Sequence, residues 1–287
     1  MVDGMDRMIE MERLSLHIRD WQPAEIDPNK PVYVLLHGLS SNAHTWDLAA
    51  PKLVDAGFRA VAVDQRGHGL SDKPDSGYDF ETVTDDLKSL LEVLELENVI
   101  LAGQSWGGNV VLNFGARFPQ AARALVFVDG GFLNLAGRGT WEEVSRELRP
   151  PDLLGIPRDH ISARIAQMHP HWTPEGVEAT LHNFEILPDG TIRPWLTLER
   201  HIAILRALFE QDASELFSQV RVPVLICAAD DGSEWANQKR PLVEAAERGI
   251  PQAKVAWFED TAHDIHVDRP GLLAEKMLGF VRELAVG

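Results

Sequence analysis

Apolar residues in this chain gather in runs of two kinds. Short runs at 32–36, 60–63, 99–102, 125–128, 224–228 and 255–258 contain no charged position and are rich in valine, isoleucine, leucine and alanine. A run of that length without polar alternation predicts a strand buried on both faces, the pattern of a parallel sheet. Between these runs, segments at 45–56, 83–96, 106–117 and 271–284 space their apolar residues three and four apart, which predicts helices with one buried stripe. Strands alternating with helices predict an α/β domain, a mostly parallel central sheet with helices on both faces. The segment around 10–19 is expected to add an antiparallel pair at one edge.

The alternation stops between Phe132 and Phe217. Helical periodicity continues there, punctuated by Pro150, Pro151, Pro157, Pro170, Pro174, Pro188 and Pro194. This predicts an inserted helical cap at 133–216, dividing a core built from 1–132 and 217–287. The insertion leaves the carboxyl end of one strand and returns into the next, so it is expected to lie over the crevice where open α/β sheets bind ligands. Its tryptophans Trp141, Trp172 and Trp195, with Phe184, Leu187, Leu205 and Phe209, are candidates for the wall of an apolar pocket.

One turn in this pattern carries chemistry. Gly103-Gln104-Ser105-Trp106-Gly107 follows the run 99–102 and opens the helical stretch that ends at Arg117. A sharp strand-to-helix turn lifts a serine hydroxyl clear of the sheet edge, and glycines are needed on both sides because larger neighbours do not fit. The five-residue pattern alone recurs by chance. Its place between a strand and a helix makes Ser105 a candidate nucleophile.

Composition narrows the partners. The chain has 287 residues and a formal net charge of -17, with no run of lysines or arginines. That balance argues against nucleic acid or an anionic membrane surface and leaves a small-molecule substrate. The single cysteine, Cys227, lies inside an apolar run, so neither a disulfide framework nor a reactive thiol is expected. The first residues lack the basic and apolar regions of a secretion signal, and no stretch has the length to span a bilayer, so a cytoplasmic location is expected. Monomer and homodimer both stay open.

Three further motifs, in order along the chain, complete a resemblance. His37-Gly38-Leu39 follows the run 32–36, Asp64-Gln65-Arg66-Gly67-His68-Gly69-Leu70-Ser71-Asp72 follows 60–63, and Thr261-Ala262-His263 precedes Asp268-Arg269-Pro270. With the Ser105 turn, these resemble the α/β-hydrolase superfamily over essentially the whole chain. The resemblance implies the order nucleophile, acid, histidine, with His263 as the base that Ser105 needs at neutral pH. His266 is the nearest rival, and the spacing to Pro270 favours His263. The resemblance also implies that His37 helps to shape the substrate pocket and that the N–H groups of Leu39 and Trp106 form an oxyanion hole. Asp64 and Arg66 are expected to brace a loop. His169 and His171 have no third ligand near them in sequence, and neither metal nor cofactor is implied.

The acid has more than one candidate. It must accept a hydrogen bond from the imidazole, holding the tautomer and stabilising the imidazolium. In most relatives it follows the strand corresponding to 224–228, which offers Asp230 and Asp231, although Ala228-Ala229-Asp230-Asp231 is a residue short of the usual spacing. Some relatives use the end of the preceding strand, here Asp129. The expected triad is Ser105, His263 and Asp230, with Asp129 and Asp231 as alternatives.

Trp106 beside the nucleophile is shared with haloalkane dehalogenases and epoxide hydrolases, which carry an aspartate at the position of Ser105. A serine in their chemistry would give an ether that water does not readily release, so acyl transfer is the expected reaction. The implied function is a serine hydrolase of a carboxylic ester or lactone. C–C bond hydrolysis or cofactor-free perhydrolysis with the same triad is the alternative among enzymes, and a ligand receptor with vestigial turnover is the alternative of another class.

Overall fold

The structure is a computed structural model that describes residues 3–284, so the outermost residues of the expected core segments 1–132 and 217–287 lie outside the described residues. The strands are β1 (Met5–Glu10), β2 (Ser15–Trp21), β3 (Val32–Leu36), β4 (Ala60–Val63), β5 (Val99–Gln104), β6 (Ala124–Val128), β7 (Phe184–Ile186), β8 (Ile192–Pro194), β9 (Val224–Asp230) and β10 (Ala253–Glu259). Eight of them form one sheet in the order β1-β2-β4-β3-β5-β6-β9-β10. The pairs β1/β2 and β2/β4 are antiparallel. From β4 to β10 every neighbour is parallel. The six apolar runs of the sequence are these six parallel strands, and β4, β5 and β6 are buried at every position, which is why no polar alternation marks them.

Each face of the sheet has its own core. On one face, helices Phe80–Val93, Trp106–Arg117 and Glu234–Gly249 cover Leu36, Leu101, Phe127 and Ile226. On the other, Ala50–Asp55 and Pro270–Leu284 cover Leu35, Ile100, Val126 and Cys227. Neighbours such as Ile100 and Leu101 enter opposite cores because successive side chains of a strand point to opposite faces. Burial pushes the Cys227 thiol pKa up, well away from the thiolate a reactive cysteine needs.

Helix Glu234–Gly249 has no counterpart among the helices read from the apolar pattern. Pro241 lies inside it, and a proline that removes a helical hydrogen bond reads as a breaker. The helix forms because Ser233 caps it, accepting from the Ala236 N–H, and because Ala236, Val243 and Ala246 are buried.

Between β6 and β9 lie helices Trp141–Glu147, Arg158–Met168, Pro174–Leu181 and Leu198–Glu210. Besides these helices the insertion holds an antiparallel hairpin of β7 and β8, which the apolar pattern did not predict. The turn Leu187-Pro188-Asp189-Gly190 joins them, with Gly190 at φ 79 where glycine is favoured. Polar contacts fasten the insertion to the sheet domain. Ser40 Oγ lies 2.8 Å from His201 Nδ1, Asn42 Nδ2 donates to Ala179 O at 3.2 Å, and Asn109 Nδ2 donates to Gln211 Oε1 at 2.8 Å. No helix among the described residues is long and apolar enough to cross a membrane.

Candidate active site

The chain turns from β3 to β4 on one side and places β5 on the other side of β3. A crevice opens at the carboxyl ends of the strands where the order reverses in this way. His37-Gly38-Leu39 after β3 and Ser105 after β5 flank it.

Ser105 joins β5 to helix Trp106–Arg117 with φ 53 and ψ -121. A non-glycine residue held at such a sparsely populated conformation costs on the order of 1–3 kcal/mol and persists only where its surroundings enforce it. Here the Ser105 N–H donates to Val128 O at 3.0 Å, and the Gly108 N–H donates to Ser105 O at 2.9 Å. A Cβ added at Gly107 would lie 2.5 Å from His37 O and 2.9 Å from Leu36 O. One added at Gly38 would lie 2.3 Å from Gln104 Oε1 and 3.1 Å from Ser105 Cβ. The backbone after His37 therefore presses directly against the serine turn, and only glycine permits the approach. Trp106 is buried in the first turn of its helix, whose amino end carries partial positive charge next to Ser105.

His263 follows β10, and its Nδ1 lies 2.6 Å from Asp129 Oδ2. With the Nδ1–H donated to a carboxylate, Nε2 keeps its lone pair. Asp129 follows β6 with φ 47 and is 1% exposed. Its Oδ1 accepts from the Ala229 N–H at 2.9 Å, and Lys239 Nζ stands 2.8 Å from both carboxylate oxygens. Burial on its own would raise the Asp129 pKa, but bonding and charge from His263 and Lys239 outweigh it and hold the carboxyl below its usual range. His263 is 42% exposed at its side chain; partial burial disfavours protonation, Asp129 and Asp264 favour it more strongly and Lys239 opposes them, leaving its pKa raised.

Asp230, the first choice from the sequence, is not on the imidazole. It pairs with Arg240 and accepts from the Gly232 N–H at 3.1 Å. Asp231 accepts from the Ser233 N–H at 3.0 Å, in the turn that caps helix Glu234–Gly249. Strand register explains the exchange. Gln104 is opposite Val128, and Val128 is opposite Cys227. Ser105 and Asp129 therefore stand level with Ala228, and Asp230 lies two residues farther out.

The pocket expectations need similar correction. His37 is fully buried, with Nδ1 2.7 Å from Gly38 O and Nε2 accepting from the Gln65 N–H at 3.0 Å, so it braces the loop from behind. Trp195 lines a cleft of about 600 Å³ between insertion and sheet domain, along with Ser40, His68, Leu153 and Phe184. Trp141 instead packs on Phe209 at 5.5 Å between ring centres, and Trp172 stacks on His169 at 3.8 Å. Neither lines that cleft, and Ser105 and His263 are not among its lining residues either.

Two residues of the site carried no sequence assignment. Gln104 Nε2 reaches His263 O at 3.4 Å and Asp264 Oδ1 at 3.3 Å, tying the histidine loop to the strand that bears Ser105. Its signal was its place before the serine. Lys239 had none, because a single lysine beside a proline looks like solvated surface until its 3% exposure is seen.

Known proteins share this fold over nearly the whole chain. The chain is 26% identical over 282 residues to 2-(acetamidomethylene)succinate hydrolase of Mesorhizobium japonicum, spanning 96% of this chain and 95% of that protein. The crystal structure of an E-2-(acetamidomethylene)succinate hydrolase superposes with a TM-score of 0.79 at 24% identity, over 97% of this chain and 99% of the other. That of the enol-lactonase from Burkholderia xenovorans LB400 superposes with a TM-score of 0.73 at 18% identity, over 96% and 100%. A sequence model described as the alpha/beta hydrolase family matches residues 33–276. With a match of that extent, running from β3 into the final helix, the chain belongs to the alpha/beta hydrolase family.

Proposed function

We propose that this protein is a serine hydrolase that cleaves a carboxylic ester or lactone through an acyl-enzyme. The observation that carries the reading is the 2.6 Å contact between His263 Nδ1 and Asp129, which leaves Nε2 free as a base on the sheet edge that bears Ser105. In this mechanism His263 takes the Ser105 proton as the hydroxyl attacks the carbonyl, and the N–H groups of Leu39 and Trp106 hold the oxyanion. His263 then protonates the leaving alkoxide and activates water to release the acid. The closeness of the Gly38 backbone to Ser105 supports the oxyanion assignment. Relatives named as a hydrolase of 2-(acetamidomethylene)succinate and as an enol-lactonase support a small-molecule substrate.

The test is Ser105→Ala on p-nitrophenyl butyrate, with thermal melting as the folding control. The variant is expected to keep its melting temperature and lose at least about a thousandfold in kcat. Retention of more than about a tenth of kcat would withdraw the nucleophile and the reading with it. An insertion fastened over the sheet domain by Ser40, Asn42 and Asn109 favours small acyl groups. Activity along an ester series is expected to peak below about twelve carbons, because each further methylene gains roughly 0.8 kcal/mol only while the pocket can hold it. A peak at longer chains would contradict the bounded site.

A further inference from the structure

We infer that Lys239 is a positioning residue for the Asp129–His263 pair: its ammonium fixes the carboxylate and offsets part of that carboxylate's pull on the imidazolium, so that His263 stays a free base at lower pH. The kinetic consequence rests on the serine-hydrolase reading, whereas the titration of His263 does not.

Lysine is almost never buried to this depth unless it is paired. Lys239 is 3% exposed at its side chain and Asp129 is 1% exposed, and the ammonium sits 2.8 Å from both carboxylate oxygens. An ionised carboxylate offers about four acceptor sites. The Ala229 N–H, His263 and the two contacts to Lys239 fill them, so the Asp129 side chain has no other orientation that keeps its partners.

The charges around the imidazole come from several elements. Asp129 approaches from the end of β6, Asp264 follows in the chain, and Lys239 comes from helix Glu234–Gly249. His266 and His37 lie behind, and burial lowers the pKa of both, so they stay neutral. Asp231 also feels Lys239 but is bonded to the Ser233 N–H, and Arg240 is occupied by Asp230. Two carboxylates thus favour the imidazolium and one ammonium opposes it. A bare aspartate–histidine pair lacks the opposing charge, and its histidine stays protonated to higher pH.

The experiment follows His263 by NMR of isotopically labelled histidine in Ser105→Ala protein, with the resonance assigned by its loss in His263→Gln. The acid limb of kcat/KM is measured in parallel with Ser105 present. Lys239→Gln keeps a donor toward Asp129 and removes the charge, whereas Lys239→Arg keeps the charge. In Lys239→Gln both midpoints are expected to rise by about one pH unit, and in Lys239→Arg to stay within about 0.3 of the wild type. A brace without an electrostatic part would lower kcat at every pH and leave both midpoints in place, and that result overturns the inference. Lys239→Met serves as the neutral variant if Lys239→Gln does not fold. If neither folds, the lysine serves stability alone and the inference is withdrawn. Should Ser105→Ala retain turnover, the hydrolase reading falls while the NMR titration still decides the role of Lys239.

Discussion

Asp129 follows β6 and Asp230 closes β9, and two residues of height along the sheet separate their surroundings. Asp129→Asn keeps the volume but turns an acceptor into a donor beside Nδ1, which favours the wrong imidazole tautomer. In the serine-protease template the same change costs about 10⁴ in kcat. Asp129→Asn is therefore expected to lose at least roughly a hundredfold, with Asp230→Asn and Asp231→Asn within about tenfold of wild type. Steady-state rates of the three variants check this, and a large loss confined to Asp230→Asn would remove Asp129 from the mechanism. The sequence made the Ser105 turn legible because its constraints are local, a strand, two glycines and a helix start. It could not separate Asp129 from Asp230, since that choice depends on the lateral register of β6 against β9, whose Val128–Cys227 pairing spans the whole insertion. Lys239 escaped for the same reason, reaching Asp129 across 110 residues.

At the scale of elements, the six parallel strands were readable because an all-apolar run has few other uses, whereas β2 buries His17, Arg19 and Asp20 and, with β1 at Met5–Glu10, lies only partly within the edge pair expected around 10–19. Helices were less so. The expected helix 45–56 divides into a short 3-10 turn, Ala43–Trp46, and Ala50–Asp55, with Pro51 opening the second piece. Helix Glu234–Gly249 was hidden by Pro241, and the β7-β8 hairpin by strands of only three residues each. The contact between helix Trp106–Arg117 and the loop after β3 yields a prediction of its own. Gly107→Ala places a methyl group 2.5 Å from His37 O, a backbone atom that has no side-chain freedom to yield. Overpacking of this kind costs about 1–3 kcal/mol. Thermal melting should show a lower midpoint and the esterase assay a loss of rate. An unchanged melt with full activity would mean that the two backbones are farther apart than described.

Across the whole molecule, buried histidines set the response to pH. Burial is the main cause that lowers His37, His68 and His266, with His68 near about 3 and His266 near about 4. These groups are neutral in the folded state, whereas an unfolded chain protonates them near pH 6.5, so their contribution to stability falls as pH drops below that value. At pH 5 the loss is on the order of 2 kcal/mol for each of His68 and His266. His17 and His263 are raised despite the opposing effect of burial, through bonding to Asp64 and Asp129. Their stabilisation is complete below pH 6.5 and is lost as pH rises through the raised values. Urea midpoints are expected to be highest near neutrality and clearly lower at pH 5, and an unchanged midpoint at pH 5 would mean that these rings are not held neutral.

The separation of 134 positions between Asp129 and His263 also imposes an order in time. Trp21, Trp46 and Trp106 are the fully buried tryptophans, and all three belong to the part of the chain that precedes the insertion. Trp46 packs on His266 at 4.8 Å between ring centres and is buried only once the histidine loop docks, whereas a nascent or refolding chain can bury Trp21 and Trp106 and recover much of its native-like fluorescence while His263 is still undocked. Contacts so distant along the chain form late, because loop closure must precede them. Recovered turnover, compared with recovered fluorescence, therefore acts as a clock for the docking of β10 at the far edge of the sheet.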